Sequence, residues 1–477
     1  MRETSRLVAA LSGARVAGAL PPTVDAIASD SRAVRPGTLF VALRGERADG
    51  HAFVRDALAR GASAVLVEHE LDADLHAPAI VVADTRAASS RLADAFYDHP
   101  SHALAVVGVT GTNGKTTTTH LVRGVCEAAG IPCGVIGTLG GALGELRWPL
   151  ANTTPLALEL QGVLAAQRDA GARAVAMEVS SHALALGRVE DVRFRVAALT
   201  NITRDHLDFH GTMERYVAAK RRLFDLAPAA VLNVDDPAGA AWAKELPHAI
   251  TYAIDADAAL RATDLRLNGD GSTFRVGEHT VTINLPGRFN VRNALAVFGI
   301  ARALGIPDET TVQGLGATRA VPGRMERIGA FGIEAIVDYA HTPDALENVL
   351  HAARETTKRR LIVVFGCGGD RDAGKRAEMG AIAARLADRV IVTSDNPRTE
   401  DPLTIARAIV NGWDADIELD RRSAIRLAID DAHAGDTIVV AGKGHETYQI
   451  VGTESRPFDD RDEVRNAFRA RAEALRR

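Results

Sequence analysis

Residues 108–117 read GVTGTNGKTT and follow the apolar run LAVV at 104–107. A strand, then glycines, then Lys-Thr at the start of a helix is a combination that grips polyphosphate. Gly111 and Gly114 let backbone N–H groups approach phosphate oxygens, the helix N-terminus adds partial positive charge, and Lys115 adds a full one. The Thr116 hydroxyl is a ligand suited to Mg²⁺. In the strict Walker spacing the first glycine stands five residues before the second; here Val109 holds that place and Gly108 lies one residue earlier. The loop is therefore a variant, GxxGTNGKT, and is expected to hold a nucleoside triphosphate. A kinase, a switch GTPase, a motor and a ligase could all own it. A GTPase would add an Asn-Lys-x-Asp motif, and NVDD at 233–236 does not match.

The chain around the loop has 477 residues, which implies two to four domains. Apolar residues at 47% and charged residues at 25% are ordinary values for a folded, water-soluble chain. No stretch approaches the ~18 apolar residues of a membrane span, so membrane insertion is not expected. The mildly apolar start MRETSRLVAALSGARVAGALPP is broken by Arg15 and carries Glu3, so it reads as the first helix of a domain rather than an export signal. Cys126, Cys133 and Cys367 form neither a disulfide framework nor a Cys-x-x-Cys knuckle, which points to a reducing cytoplasm. A net charge of −5 gives no basic footprint for nucleic acid.

Strand signals (TLFVAL, ASAVLVE) flank a helical pattern within residues 1–100, giving a small α/β domain. LAVVGV, GVIGTL, RAVAMEVS, VAALTNI and AAVLNV follow as strands alternating with helices, then an antiparallel-looking stretch at about 260–285. Pro322-Gly323 marks a hinge, after which IEAIVDY, RLIVVFG, RVIVTSD and TIVVAG repeat the alternation. Two long βα blocks imply parallel sheets, whose ligands sit outside the carboxyl ends of strands.

Those strand ends are chemically loaded. Glu178 closes AVAMEVSSHAL and could face a metal at the triphosphate. His206 and His210, interleaved with Asp205 and Asp208, superficially resemble a zinc helix. They lack the His-Glu-x-x-His form and any cysteine, and the alternative is an Mg²⁺ or phosphate site. Lys220, Arg221 and Arg222 read plainly as a solvated basic helix face. In the last block, Arg371, the turn Asp395-Asn396-Pro397-Arg398, and Gly442, Lys443, His445 and Glu446 each follow a strand. If those strands are neighbours, the loops form one crevice suited to a zwitterion with more than one carboxylate. Arginine forks bind carboxylates, and Glu or Asp takes an ammonium.

Together GVTGTNGKTT, MEVSSHAL, TNITRDHLDFHG, YVAAK, GRFNVRNALA, PGRMER and DYAHTP, in that order and over nearly the whole chain, resemble the Mur ligase family of ATP-dependent amide-forming enzymes. The resemblance implies an α/β fold of three domains. These are an N-terminal UDP-binding domain (1–100), a central P-loop ATPase with a mainly parallel sheet (101–322) and a C-terminal Rossmann-like, amino-acid-binding domain (323–477). Within the family, SDNPR resembles the signature for adding meso-2,6-diaminopimelate to the D-glutamyl γ-carboxylate of UDP-N-acetylmuramoyl-L-alanyl-D-glutamate, through an acyl phosphate. A lysine-adding relative and a folate polyglutamate ligase are the alternatives. The latter should lack SDNPR and the UDP domain. A scaffold on a degenerate ligase frame would not need Lys115, Glu178, His206 and Lys220 intact.

The same resemblance assigns residues. Gly111, Thr112, Asn113, Gly114, Lys115, Thr116 and Thr117 would hold ATP with Asn293, Arg324 and Asp338, and Arg324 would reach the γ-phosphate. Thr116, Glu178, His206 and Lys220, the last as N6-carboxylysine, would hold Mg²⁺, with Lys115, His206 and Lys220 in the catalytic role. Ser31, Asn152, Thr153, Thr154, Ser180 and Arg188 would hold the UDP-muramoyl-dipeptide. Arg371, Asp395, Asn396, Pro397, Arg398, Gly442 and Glu446 would hold diaminopimelate. A cytoplasmic monomer is expected, without nucleic-acid partners. Leu186 stands where close relatives often have a polar residue, and Glu46-Arg47 in the uridine loop takes no assignment.

Overall fold

In the computed structural model of the protein, all residues are described except 46, 47, 72–74, 76, 320, 414 and 477. Glu46 and Arg47 thus lie outside the described residues. The protein is mixed α/β with mostly parallel sheets. It divides into two compact units, one of residues 1–110, 130–198 and 219–230, the other of 111–129, 199–218 and 231–477.

The first unit opens with a five-stranded sheet: β1 (Arg15–Ala17), β2 (Ala26–Ala28), β3 (Thr38–Val41), β4 (Ala62–Val67) and β5 (Ala79–Val81), in the order β1-β5-β4-β3-β2. Only the β1–β5 pair is antiparallel. Side chains alternate across the strands, so Leu39, Val41 and Leu66 pack on helix α1 (Thr85–Phe96) while Phe40, Val65 and Val67 fill the opposite face. Asp84 caps α1 by accepting from the N–H groups of Arg86 and Ala87. Next come β6 (Ala105–Thr110), β7 (Cys133–Gly137), β8 (Gly140–Leu143), β9 (Leu146–Trp148) and β10 (Ala174–Glu178). Here β10 pairs in parallel with both β6 and β7, and β8 pairs antiparallel with β7 and β9. Glu178 is therefore the last residue of a strand flanked by two parallel neighbours.

The second unit begins with the loop after β6 and helix α2 (Lys115–Ala128). Residues 231–233 of β11 (Ala229–Asn233) pair in parallel with β12 (Ile250–Ala253), and β12 with β13 (Leu260–Asn268). The expected antiparallel stretch is the β13, β14 (Gly271–Val276), β15 (His279–Ile283) meander. Helix α3 (Arg288–Leu304) follows and buries Asn290 and Asn293 in its first turns.

The last block is a six-stranded sheet. Its members are β16 (Glu326–Ala330), β17 (Ile333–Asp338), β18 (Leu361–Phe365), β19 (Arg389–Val392), β20 (Asp416–Ile417) and β21 (Thr437–Ala441). Their order is β16-β17-β21-β18-β19-β20, with only β16 antiparallel. Helices α4 (Pro343–Arg354) and α5 (Arg376–Leu386) cover one face. On the other lie α6 (Arg421–Asp431) and α7 (Asp460–Arg476). Both faces being covered, the strands are apolar throughout, as LIVVF and TIVVA show. A hairpin, β22 (Tyr448–Val451) and β23 (Glu454–Pro457), stands beside the sheet.

Candidate active site

The phosphate loop is built in the second unit. Gly111 (φ +144°) lies so near Thr200 that a β-carbon there would come within 1.9 Å of its Oγ1. At Gly114 (φ +87°) one would stand 2.4 Å from Asn293 Oδ1. Only glycine tolerates both the left-handed backbone and these approaches. Thr112 N donates to Asn201 O at 2.7 Å, and Asn113 N to Asn201 Oδ1 at 3.0 Å. The Lys115 ammonium is folded over the loop, 3.0 Å from Gly111 O and 2.9 Å from Thr112 O. Thr116 Oγ1 accepts from Arg324 Nη2 at 2.9 Å, and the Arg324 guanidinium lies 4.5 Å over the Tyr339 ring. Thr117 is buried beside it in the same helical turn.

Asp338, at the end of β17, accepts from Ala340 N and Met325 N, each at 2.8 Å. Burial pushes its carboxyl up, opposed by the Arg324 charge and these two N–H groups. His206 carries a left-handed backbone (φ +55°), and its Nε2 stands 3.3 Å from Asp205 Oδ2. Burial would raise the Asp205 carboxyl, but the charges of His206, His341, Lys375 and Lys115 hold it low. His341 Nδ1 lies 2.8 Å from Tyr339 O. Burial, then the Lys375 charge, push its imidazole below the ordinary value.

Among the described residues no three His, Cys, Asp or Glu side chains gather as a metal site. His210 instead packs against the Tyr216 ring, whose hydroxyl is 2.9 Å from Thr112 Oγ1. The hydroxyl of Thr116 and the carboxylate of Glu178 are hard oxygen donors. Each is a donor of the kind that an ion such as Mg²⁺ takes alongside phosphate and water.

The conditional crevice of the last block is realised, because β17, β21, β18 and β19 are consecutive neighbours. Gly369 N donates to Asn396 O at 2.9 Å, and a β-carbon on Gly369 would meet Pro397 O at 1.9 Å. Arg398 is itself left-handed (φ +51°). Its backbone is clamped by Arg398 N to Ile450 O (3.2 Å) and Gly452 N to Arg398 O (2.7 Å), and its Nη1 donates to Gly369 O at 2.7 Å. Gly442 (φ +118°) leaves space where a side chain would press on Asp395 Oδ2. Arg371 is exposed at the rim, whereas Asp395 and Asn396 are buried.

In the first unit, Glu178 receives Thr138 N on Oε1 (2.9 Å) and Thr138 Oγ1 on Oε2 (3.2 Å). Thr153 Oγ1 is 3.1 Å from Thr138 Oγ1. Thr154 Oγ1 donates to Glu178 O at 2.9 Å and accepts from Ser180 N at 3.0 Å, while Arg188 Nη1 donates to Thr154 O at 2.9 Å. Thr153, Thr154, Ser180, Arg188 and Glu178 are thus one cluster. Asn152 is exposed beside Thr153, and Leu186 is half-buried at the end of the short helix after Ser180. Ser31 is buried in the N-terminal sheet region and bonds Asp56. Lys220 is not a solvated lysine, since its side chain is only 1% exposed. Its neighbours form ion pairs: Arg221 pairs with Asp225 at 2.8 Å and Arg222 with Glu190.

Two contacts and one burial were not legible in isolated motifs. Asn113 Nδ2 donates to Asp344 Oδ2 at 2.8 Å, Arg204 pairs with Asp372, and Lys443 is fully buried. Asp344 stands beside the quoted motif DYAHTP and Lys443 directly after the strand TIVVAG, but only sheet order and packing reveal their partners.

Three family models match the chain: "Mur ligase family, catalytic domain" at residues 23–97, "Mur ligase middle domain" at 109–301 and "Mur ligase, glutamate ligase domain" at 323–444. The chain is 48% identical to the UDP-N-acetylmuramoyl-L-alanyl-D-glutamate--2,6-diaminopimelate ligase of Thermosynechococcus vestitus over 475 residues, 95% of each chain. It is 45% identical to the protein of that name from Syntrophomonas wolfei, over 93% of this chain and 94% of the other. A solved structure of a UDP-N-acetylmuramoyl-L-alanyl-D-glutamate--2,6-diaminopimelate ligase superposes with a TM-score of 0.66 at 36% identity, covering 94% of this chain and 96% of that one.

Proposed function

Because the chain belongs to the Mur ligase family, we propose that it joins meso-2,6-diaminopimelate to the D-glutamyl γ-carboxylate of UDP-N-acetylmuramoyl-L-alanyl-D-glutamate, with ATP as co-substrate, in peptidoglycan precursor synthesis. The relatives' shared name and near-complete coverage support this. In the reaction a carboxylate oxygen attacks the γ-phosphorus and ADP leaves. The amine then attacks the acyl phosphate carbonyl, and the tetrahedral intermediate expels phosphate and a proton to leave the amide. A carboxylate is a poor electrophile until its oxygen becomes a leaving group, which is why ATP is needed.

In this reading Lys115 and Arg324 offset charge that develops on the transferring phosphoryl group. Gly111, Thr112, Asn113, Gly114, Thr116, Thr117, Asn293 and Asp338 hold the nucleotide. Thr116, Glu178, His206 and Lys220 as N6-carboxylysine would hold Mg²⁺, which supplies charge neutralisation at the phosphates. Ser31, Asn152, Thr153, Thr154, Ser180 and Arg188 take the UDP-muramoyl-dipeptide. A three-domain division at 1–100, 101–322 and 323–477 accompanies this assignment, in keeping with the three matched segments. The enzyme would work as a cytoplasmic monomer. Its three cysteines are buried, and among the described residues no helix is long and apolar enough to cross a membrane.

The choice of amino acid rests on one observation: Arg398 is held in a left-handed backbone at the crevice formed by the loops after β21, β18 and β19. Diaminopimelate differs from lysine by a carboxylate on the distal carbon, the group a guanidinium fork binds. The test is phosphate release from ATP and UDP-muramoyl-dipeptide against a panel of amino acids. Release with diaminopimelate alone is the expected result; a preference for lysine or glutamate would overturn the assignment.

A further inference from the structure

Lys443 lies in the loop after β21 with its side chain completely buried. Its Nζ is 3.0 Å from Asn396 Oδ1, 3.0 Å from Glu446 Oε2 and 4.0 Å from Asp395 Oδ1. Taking an ammonium this far from water is costly unless such partners surround it. The contacts also fix the Asn396 amide. Its Oδ1 accepts from Lys443 Nζ and from Ile450 N at 2.9 Å, so Nδ2 faces Glu446 and donates to Oε2 at 3.0 Å. Glu446 Oε2 therefore carries two donors, whereas Oε1 accepts none among the described residues. The Glu446 carboxylate does not stand ready to neutralise a substrate ammonium by itself, because the protein already supplies one.

Two carboxylates and one ammonium leave one net negative charge at the floor of the crevice. The neighbouring buried cation, Arg421, adds nothing to that sum, since Asp460 holds it in a two-bond pair. We infer that Lys443 is a positioning residue for amino-acid selection: it fixes Asn396 and Glu446 and sets the crevice floor to one negative charge, matched to a single substrate ammonium. Arg398 and Arg371 are left for carboxylates. This rests on the proposed use of diaminopimelate.

A charge-exchange series tests it. Lys443→Gln keeps hydrogen-bond donors but leaves two negative charges, and Glu446→Gln leaves none. Lys443→Gln with Glu446→Gln restores one. Each single substitution should raise KM for diaminopimelate by ~10²-fold, the scale on which an unpaired buried charge weakens binding, with KM for ATP within about threefold. The double variant should bind diaminopimelate better than either single variant, which no purely packing role predicts. The inference is overturned if the wild type is active and the double variant's KM is the product of the single effects, or if Lys443→Gln leaves KM within about threefold. Wild-type protein that releases no phosphate with diaminopimelate overturns the functional reading instead. Thermal melting of all four proteins guards against unfolding: the double variant should melt above Lys443→Gln whatever the substrate.

Discussion

Arg324 Nη2 donates to Thr116 Oγ1 at 2.9 Å, joining the turn that opens the last block to the first helical turn of the phosphate loop. Its Nε is buried without a hydrogen-bond partner among the described residues. A half-buried guanidinium with a donor to spare beside this glycine-rich loop is suited to receive anionic oxygen. Arg324→Lys keeps the charge and loses the planar fork. Phosphate release should fall by ~10²–10³-fold, the effect of removing one preorganised donor, with little change in melting temperature. Near-normal steady-state turnover would remove Arg324 from the reaction.

Lys220 makes a chemically different prediction. A lysine amine that is neutral can take up CO₂ and become a carboxylate-like ligand, and Lys220 is buried, only 1% exposed, where such a ligand would be shielded from water. Lys220→Ala should lose ~10²-fold or more of activity, as metal-shell changes do. Added formate should restore part of it. The check is a titration of formate against the variant and the wild type; a variant that is fully active without formate would leave Lys220 a packing residue.

Arg398 is expected to decide between amino acids. With its backbone clamped by Ile450 and Gly452, the guanidinium can bind a distal carboxylate, and lysine leaves it unpaired. Discrimination of roughly 10³-fold or more against lysine follows, because a site built to bond a polar group rejects an analogue without it. Arg398→Ala should abolish most diaminopimelate use and leave ATP affinity nearly unchanged. Competition between the two amino acids measures this directly, and an unaltered preference in the variant would refute the role.

Arg421 and Asp460 test stability apart from function. Both side chains are fully buried, with Nε and Nη2 each donating at 2.7 Å, and Arg421 Nη2 also reaches Ala441 O at 2.9 Å. Asp460→Ala leaves a guanidinium uncompensated and should cost about 3–5 kcal/mol in chemical denaturation. Replacing both by apolar residues of similar volume should cost far less. Equal losses in the two variants would argue against that account.

His445 sets part of the pH response. Burial, then the charges of Arg324, Arg461 and His341, hold its imidazole down at about 3, against a weaker opposing pull from Asp459. The unfolded chain binds a proton near the ordinary value of about 6.5 that the folded protein refuses. Stability from this residue is thus complete above about pH 6.5 and is lost as pH falls toward 3. His341, also depressed, acts in the same direction. Denaturation midpoints at pH 7, 6 and 5 should decline less steeply in His445→Gln than in the wild type. Identical slopes would assign the proton to other groups.

The phosphate loop, the strands and the α/β class were legible in the sequence because their causes are local. Gly111 and Gly114 are demanded by backbone geometry within a few residues of Lys115, and runs such as LIVVF and TIVVA announce buried parallel strands. Sequence reading also found Arg371, Asp395, Arg398 and Glu446 as strand-end residues, but their convergence was conditional. The order β17-β21-β18-β19 differs from chain order, and only non-local pairing decides it. The tertiary structure likewise decided where charges go. Lys220 is buried rather than solvated, Arg221 and Arg222 turn to Asp225 and Glu190, and Lys443 occupies the carboxylate expected to await a substrate ammonium. Charge placement depends on desolvation and on partners from distant segments, and a linear motif carries neither.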